Sequence, residues 1–215
     1  NFDLSSLQIL FFGGASIPLA MIGELRTLGC TPQTGWGLTE ATGAVTYTAL
    51  DDDDQTMSRT VGRAAGSFEV RVADEHGGFL GPGEAGEVLV GGPCIMAGYY
   101  LRPEATRETI DKSGWLHTGD RGLLDEEGRL VIVGRIKHMY KSGGYNIYPR
   151  EIEMTLELHP AVALATVVSV PDPQYDEIGI AYVLREPGRN ISTTSIETFA
   201  RKRLANYKIP KRFVI

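Results

Sequence analysis

Two glycines bracket a tryptophan in GWGLTEATG, residues 35–43, and a threonine and a glutamate follow. Gly35 and Gly37, lacking Cβ atoms, would let a ligand approach the backbone closely. Trp36 offers an aromatic face on which a base could stack. Thr39 can donate to a phosphate oxygen, and Glu40 can hold a hard cation such as Mg²⁺. In GWLHTGD, residues 114–120, Asp120 follows a glycine, and one carboxylate can accept from both hydroxyls of a ribose. In GRIKHMYKSGGYNIYPREIE, residues 134–153, Arg135, Lys137, His138 and Lys141 precede a glycine pair and a helix start. Arg135 is permanently charged and presents a fork of donors, whereas a lysine is a point charge. Each stretch has a plainer reading: a tight turn beside a core tryptophan, an ordinary turn aspartate, a solvated basic linker. The last must explain why a cationic joint sits between two segments that both look folded.

Three segments position these residues. In the first, Asn1 to about Leu50, LQILFF reads as a short buried strand and GGASIP as a turn, with Pro18 in the first turn of a helix. LAMIGELRTLG has apolar residues at helical spacing, with Gly29 as C-cap, and TPQTGWGLTEATG returns as a strand and glycine-rich loop. Strand, helix, strand predicts one unit of a mostly parallel sheet. The run of four aspartates, Asp51–Asp54, reads as a solvated loop, because an unbroken run does not converge on a metal. The second segment, about Thr60 to Arg135, holds short strands between turn signals: FEVRV alternates, and EVLVGG and RLVIVG are further strands, which predicts a small antiparallel barrel or folded sheet. In the third, Pro149 opens a helix with Glu151 and Glu153 in its first turn, ALATVVSV and IGIAYVL read as strands, and Thr194 and Glu197 stand at capping-box spacing on a second helix.

Composition narrows the function. The 215 residues carry a formal net charge of −6 and no basic stripe, which argues against nucleic acid as the main partner. Cys30 and Cys94 form no CxxC pair, which suits a reduced cytoplasmic compartment. No apolar run reaches membrane-spanning length. The GxGxxG, GxxxxGK[ST], GxSxG and HExxH patterns are missing, and the four histidines are scattered, which disfavours a zinc site.

Together GWGLTE, GWLHTGD and GRIKHMYKSGGYNIYPREIE, in this order and at these separations, resemble the adenylate-forming superfamily of acyl-CoA synthetases, luciferases and peptide-synthetase adenylation domains. The long third motif is the most specific, GGASIP matches the family's adenine-side loop, and the resemblance runs from Asn1 to Ile215. It implies the end of an α/β adenylate-binding subdomain (1–56), a β-rich, barrel-like subdomain (57–136) and a mobile α+β domain after a hinge (137–215). Gly13, Gly14 and Ala15 resemble the loop beside adenine and the acyl pocket. Trp36 stands where the family usually has a tyrosine packed on adenine, between Gly35 and Gly37. Thr39 resembles the phosphate-contacting threonine and Glu40 the Mg²⁺-associated glutamate. Asp120 and Arg135 resemble the ribose-binding pair, and Lys137 matches the hinge position. Lys141 matches a lysine that serves the second half-reaction in some members, Gly143 and Gly144 the glycines lining the pantetheine tunnel, and Asn146 a polar position near the phosphate.

The implied activity is that of an acid–thiol ligase. ATP activates a carboxylic acid, fatty or aromatic, to acyl-AMP, and coenzyme A then takes the acyl group as a thioester. The cofactors are ATP/AMP, Mg²⁺ and coenzyme A, and assembly as a homodimer stays open. Two alternatives remain: adenylation for a carrier protein, and a non-catalytic nucleotide-binding module. The family's phosphate loop and its downstream lysine are not found between Asn1 and Ile215, and the chain opens on Asn. The expectation is therefore a carboxy-proximal fragment, inactive in isolation.

Overall fold

The computed structural model describes residues 3–14 and 17–215. The chain divides into two compact units, Asn1–Ile132 and Val133–Ile215.

In the first unit, strand β1 (Ile9–Phe12) leads through helix α1 (Leu19–Arg26) to β2 (Thr31–Leu38), and β1 and β2 are parallel. Pro18 is the N-cap of α1 rather than a residue of its first turn. Gly29 has φ +81 and donates its N–H to the Arg26 carbonyl, closing the helix end as a left-handed residue does. The parallel pairing stops there. Strand β3 (Gly43–Tyr47) returns antiparallel to β2, and β4 (Arg63–Ala64) antiparallel to β3, so this sheet is mixed.

The aspartate run has structure that charge patterning did not show. Asp53 caps helix α2 (Asp54–Arg59) by accepting the Thr56 N–H at 2.7 Å, and Asp54 meets Arg26 at 2.6 Å. No group of three or more metal-ligating side chains converges among the described residues.

The middle segment is an open four-stranded sheet, β5 (Glu69–Ala73), β6 (Gly86–Gly91), β7 (Leu116–Leu124) and β8 (Leu130–Arg135) in that order, and no closed barrel. One short helix absent from the sequence reading, α3 (Pro103–Thr109), precedes β7. Trp36, Ala41, Val45, Val70, Val88, Val90, Leu116 and Leu130 form one buried cluster, so the end of β2 that carries Trp36 is built on the same core as the strand carrying Asp120.

The second unit is an α+β sandwich. Its hairpin, β9 (Tyr140–Ser142) and β10 (Tyr145–Ile147), turns at Gly143 and Gly144, with φ of +56 and +84. Positive φ at both central residues is the signature of a two-residue hairpin turn, and glycine adopts it without steric cost. Helix α4 (Pro149–Glu157) follows, then β11 (Val162–Asp172), β12 (Asp176–Arg185), helix α5 (Thr193–Arg201) and β13 (Arg212–Val214). Ile152, Leu156, Ile196 and Ala200, each pair four residues apart on its helix, are buried against the sheet.

Helix α4 does more than cover the core. Strand β11 lies at the end of the sheet order, so half of its backbone groups face no strand. Glu153 accepts the Val167 N–H at 2.9 Å, and Glu157 accepts that of Ala165 at 3.3 Å. Arg150 holds both carboxylates, at 3.3 and 3.0 Å. The N-cap of α5 is Ser192, which accepts the Ser195 N–H, and not Thr194; Glu197 pairs instead with Arg201.

Tyr140 is 3% exposed, and its hydroxyl lies over Gly179, where an added Cβ would sit 2.3 Å from it. Burial, aided by the charge of Glu177, pushes its phenol up to about 12 from 10.0. Because the folded value is the higher one, this stabilisation is complete below pH 10 and is lost as pH rises towards 12. Roughly 2–3 kcal/mol is at stake. Urea unfolding between pH 9 and 12 should show that loss in the wild-type second unit, and Tyr140→Phe should flatten it. An equally steep loss in the variant would remove Tyr140 as its cause.

Candidate active site

The GWGLTEATG stretch borders a cavity of about 450 Å³ in the first unit, lined by Phe11, Gly13, Gly14, Gly35–Thr39 and Thr42–Ala44. Ala15 lies outside the described residues. The glycines here have a structural cause that the sequence reading did not separate from ligand approach. A Cβ on Gly35 would lie 2.4 Å from the Thr46 carbonyl oxygen, and one on Gly37 only 1.9 Å from that of Gly43. The close approach that excludes side chains is thus between β2 and β3 themselves, at an irregularity in their register. Beyond β2, a short 3₁₀ turn (Thr39–Ala41) ends at Thr42 with φ +61 and leaves Thr39 exposed at the cavity.

Trp36 is 9% exposed, and its ring is part of the core, so it is mostly enclosed rather than presented as an open stacking face. Its indole Nε1 donates to Oδ2 of Asp120 at 2.9 Å. Asp120 is 4% exposed, on β7, and its backbone is fixed as well. The Asp120 N–H donates to Thr118 Oγ1 at 3.1 Å, and that hydroxyl donates to the Val88 carbonyl at 2.7 Å. Glu87 accepts the Gly119 N–H at 3.1 Å, where φ is +69. Residues from GWGLTE and GWLHTGD, read separately in the sequence, therefore share one buried hydrogen bond.

Glu40 is half-buried beside Thr39. The Tyr99 hydroxyl donates to its Oε1 at 2.7 Å, and the Met96 N–H donates to its carbonyl at 2.8 Å. The bond to the Glu40 carboxylate raises the Tyr99 phenol above its ordinary range. Tyr99 was missed because nothing local marks it: it stands 59 residues from its partner. A single carboxylate suits Mg²⁺ that keeps its waters and is shared with substrate phosphates, the usual arrangement for this ion.

The remaining residues belong to the second unit. Arg135 ends β8, and Lys137 lies in an exposed 3₁₀ turn (Ile136–His138). Lys141 and Asn146 are register partners across the hairpin, so their side chains leave the same face, both exposed. The Lys141 N–H donates to Glu177 Oε2 at 3.2 Å. Gly143 and Gly144 form the turn between them.

Comparison with known proteins gives this arrangement a family. The family described as AMP-binding enzyme matches residues 1–100, and that of the AMP-binding enzyme C-terminal domain matches residues 151–215. The chain belongs to the AMP-binding enzyme family. As an AMP-binding enzyme it is 42% identical, over 218 residues, to the 3-[(3aS,4S,7aS)-7a-methyl-1,5-dioxo-octahydro-1H-inden-4-yl]propanoyl:CoA ligase of Rhodococcus jostii (strain RHA1), covering 100% of this chain and 40% of that protein. It is 41% identical, over 212 residues, to a feruloyl-CoA synthase of Amycolatopsis sp, covering 97% and 42%. The crystal structure of ATP-bound MatB from Rhodopseudomonas palustris superimposes with a TM-score of 0.83 at 32% identity, covering 96% of this chain and 41% of that one. This AMP-binding enzyme chain thus spans about two fifths of the length of these relatives. No helix among its described residues is long and apolar enough to cross a membrane.

Proposed function

We propose that this chain forms the nucleotide-binding surface and the small mobile domain of an acyl-CoA synthetase. The observation that carries the reading is the hydrogen bond joining Trp36, on the cavity-lining end of β2, to the buried carboxylate of Asp120. It binds the two motifs expected to surround one nucleotide. The relatives named as CoA ligases support the acceptor, and the ATP-bound neighbour supports the nucleotide.

In the first half-reaction a substrate carboxylate oxygen attacks the α-phosphorus of ATP, and the bond to pyrophosphate breaks. Gly13 and Gly14 border the adenine, and Thr39 donates to a phosphate oxygen. Glu40 would hold Mg²⁺, which neutralises developing phosphate charge when bound. Asp120 and Arg135 meet the ribose hydroxyls. In the second half-reaction the thiolate of coenzyme A attacks the acyl carbonyl and AMP leaves. Lys141, Gly143, Gly144 and Asn146, gathered on one hairpin, serve this step, and Lys137 is the hinge between residues 57–136 and 137–215. Switching by domain motion lets one site complete itself differently for each step. A cytoplasmic location belongs to the same reading.

The test uses the full natural chain. Acid-dependent release of pyrophosphate from ATP, followed by thioester formation with coenzyme A, is the expected activity. Asp120→Ala should weaken ATP binding by about 2 kcal/mol, as for a lost hydrogen bond to a charged group. Calorimetric titration showing wild-type ATP affinity in the variant would remove Asp120 from the nucleotide site. Thioester formation on a carrier protein but not on coenzyme A would redirect the acceptor.

A further inference from the structure

The role assigned to Asp120 leaves open what keeps its carboxylate in place. Trp36 is 84 residues away in sequence, yet its Nε1 lies 2.9 Å from Asp120 Oδ2, with both residues nearly enclosed. A carboxylate removed from water is costly unless its oxygens are met by donors. Indole N–H is a donor only, so this bond has one polarity. It is made to the carboxylate as acceptor, the role in which a carboxylate also receives ribose hydroxyls. A carboxylate has about four acceptor positions, and the indole takes one of them. A hydroxyl at this position could donate or accept and would not impose that polarity.

The donor itself is rigid. The Trp36 N–H donates to Thr46 Oγ1 at 3.2 Å, and that hydroxyl donates to the Val61 carbonyl at 2.6 Å. The ring is fixed by the core around Val45, Val88 and Leu116. The acceptor's backbone is held through Thr118 and Glu87. Donor and acceptor are thus anchored independently, and the bond between them ties one carboxylate oxygen to the indole.

We infer that Trp36 is a positioning residue for sugar selectivity: its indole N–H orients Asp120 so that the enzyme distinguishes a ribonucleotide from a deoxyribonucleotide. This rests on the reading of Asp120 as the ribose-binding residue. A buried tryptophan that merely fills the core would affect folding and would treat both sugars alike.

The experiment measures dissociation constants for ATP, 2′-deoxyATP and 3′-deoxyATP in the full natural chain. Trp36→Phe keeps an aromatic ring and removes the donor. It should weaken ATP about tenfold, the scale of a hydrogen bond to a charged group, and the deoxy analogues distinctly less. Adding Trp36→Phe to Asp120→Asn should cost little beyond Asp120→Asn alone, since the pair acts as a unit. Equal weakening of all three nucleotides, or an unchanged ratio of ribo to deoxy affinity, overturns the inference. If Asp120→Asn itself leaves the ratio unchanged, the ribose reading fails instead, and the two failures are distinguishable. Should Trp36→Phe not fold, the Trp36 indole ¹⁵N–H resonance of the wild type decides. It should shift on adding ATP and much less on adding either deoxy analogue, and identical shifts with all three overturn the proposal.

Discussion

Gly37→Ala should unfold the first unit rather than merely weaken a ligand. A Cβ at this position would lie 1.9 Å from the Gly43 carbonyl oxygen and 2.6 Å from the Ala44 Cα, both backbone atoms of the strand paired with it. No side-chain rotation relieves such a clash, so the two strands must part between buried Trp36 and the turn that carries Thr39 and Glu40. Overpacking in a core costs typically 1–3 kcal/mol, and a collision with paired backbone belongs at about 3 kcal/mol or above. Against a total stability of roughly 5–15 kcal/mol, that is enough to depopulate the fold at moderate temperature. Denaturant unfolding followed by tryptophan fluorescence measures it. Gly23→Ala is the internal control: Gly23 is exposed within α1, has no atom within 4 Å of an added Cβ, and gains helix propensity of up to about 1 kcal/mol. Wild-type stability in Gly37→Ala would show that strands β2 and β3 are not held at this separation.

Lys137→Pro should separate the two half-reactions. Lys137 is the middle residue of the exposed turn Ile136–His138, which follows Arg135 in extended conformation, φ −107 and ψ 138. Proline fixes its own φ near −65° and drives the residue before it out of the helical region, so Ile136 could no longer adopt the turn. If Lys137 is the hinge, acyl-AMP formation should survive while thioester formation falls by about a hundredfold, the scale of withdrawing one preorganised group from an active site. Single-turnover assays of each step read the two effects separately. Matching losses in both steps would sink the hinge assignment.

What the sequence made legible follows from the range of each interaction. Alternation in FEVRV marks a strand because side chains two residues apart share a face, and Val70 and Val72 are indeed buried. The Gly143–Gly144 turn and the Pro149 helix start are likewise local, since backbone angles decide them. The cap at Ser192 was displaced by two residues because TxxE at 194–197 competes with a serine that fits as well. The burial of Ile196 and Ala200 settles the register, and that is a tertiary fact. Helix α2 hid in its own aspartates, one of which turned out to be its cap. At the candidate site, Trp36, Asp120 and Glu40 could be nominated by residue type and motif. The Trp36–Asp120 bond and the Tyr99 contact with Glu40 could not, since both arise only when distant strands share one core.

The carboxylates of Glu153 and Glu157 along β11 have a further meaning. A sheet border with vacant amides is a template on which another chain can be laid down, the first event in swapping and in fibril growth. Here two side chains from the neighbouring helix occupy the donors of Ala165 and Val167, and they are tethered by Arg150. Strand addition at this border would have to displace charged groups already engaged on the other side. The second unit thus carries its own guard against polymerisation at this border.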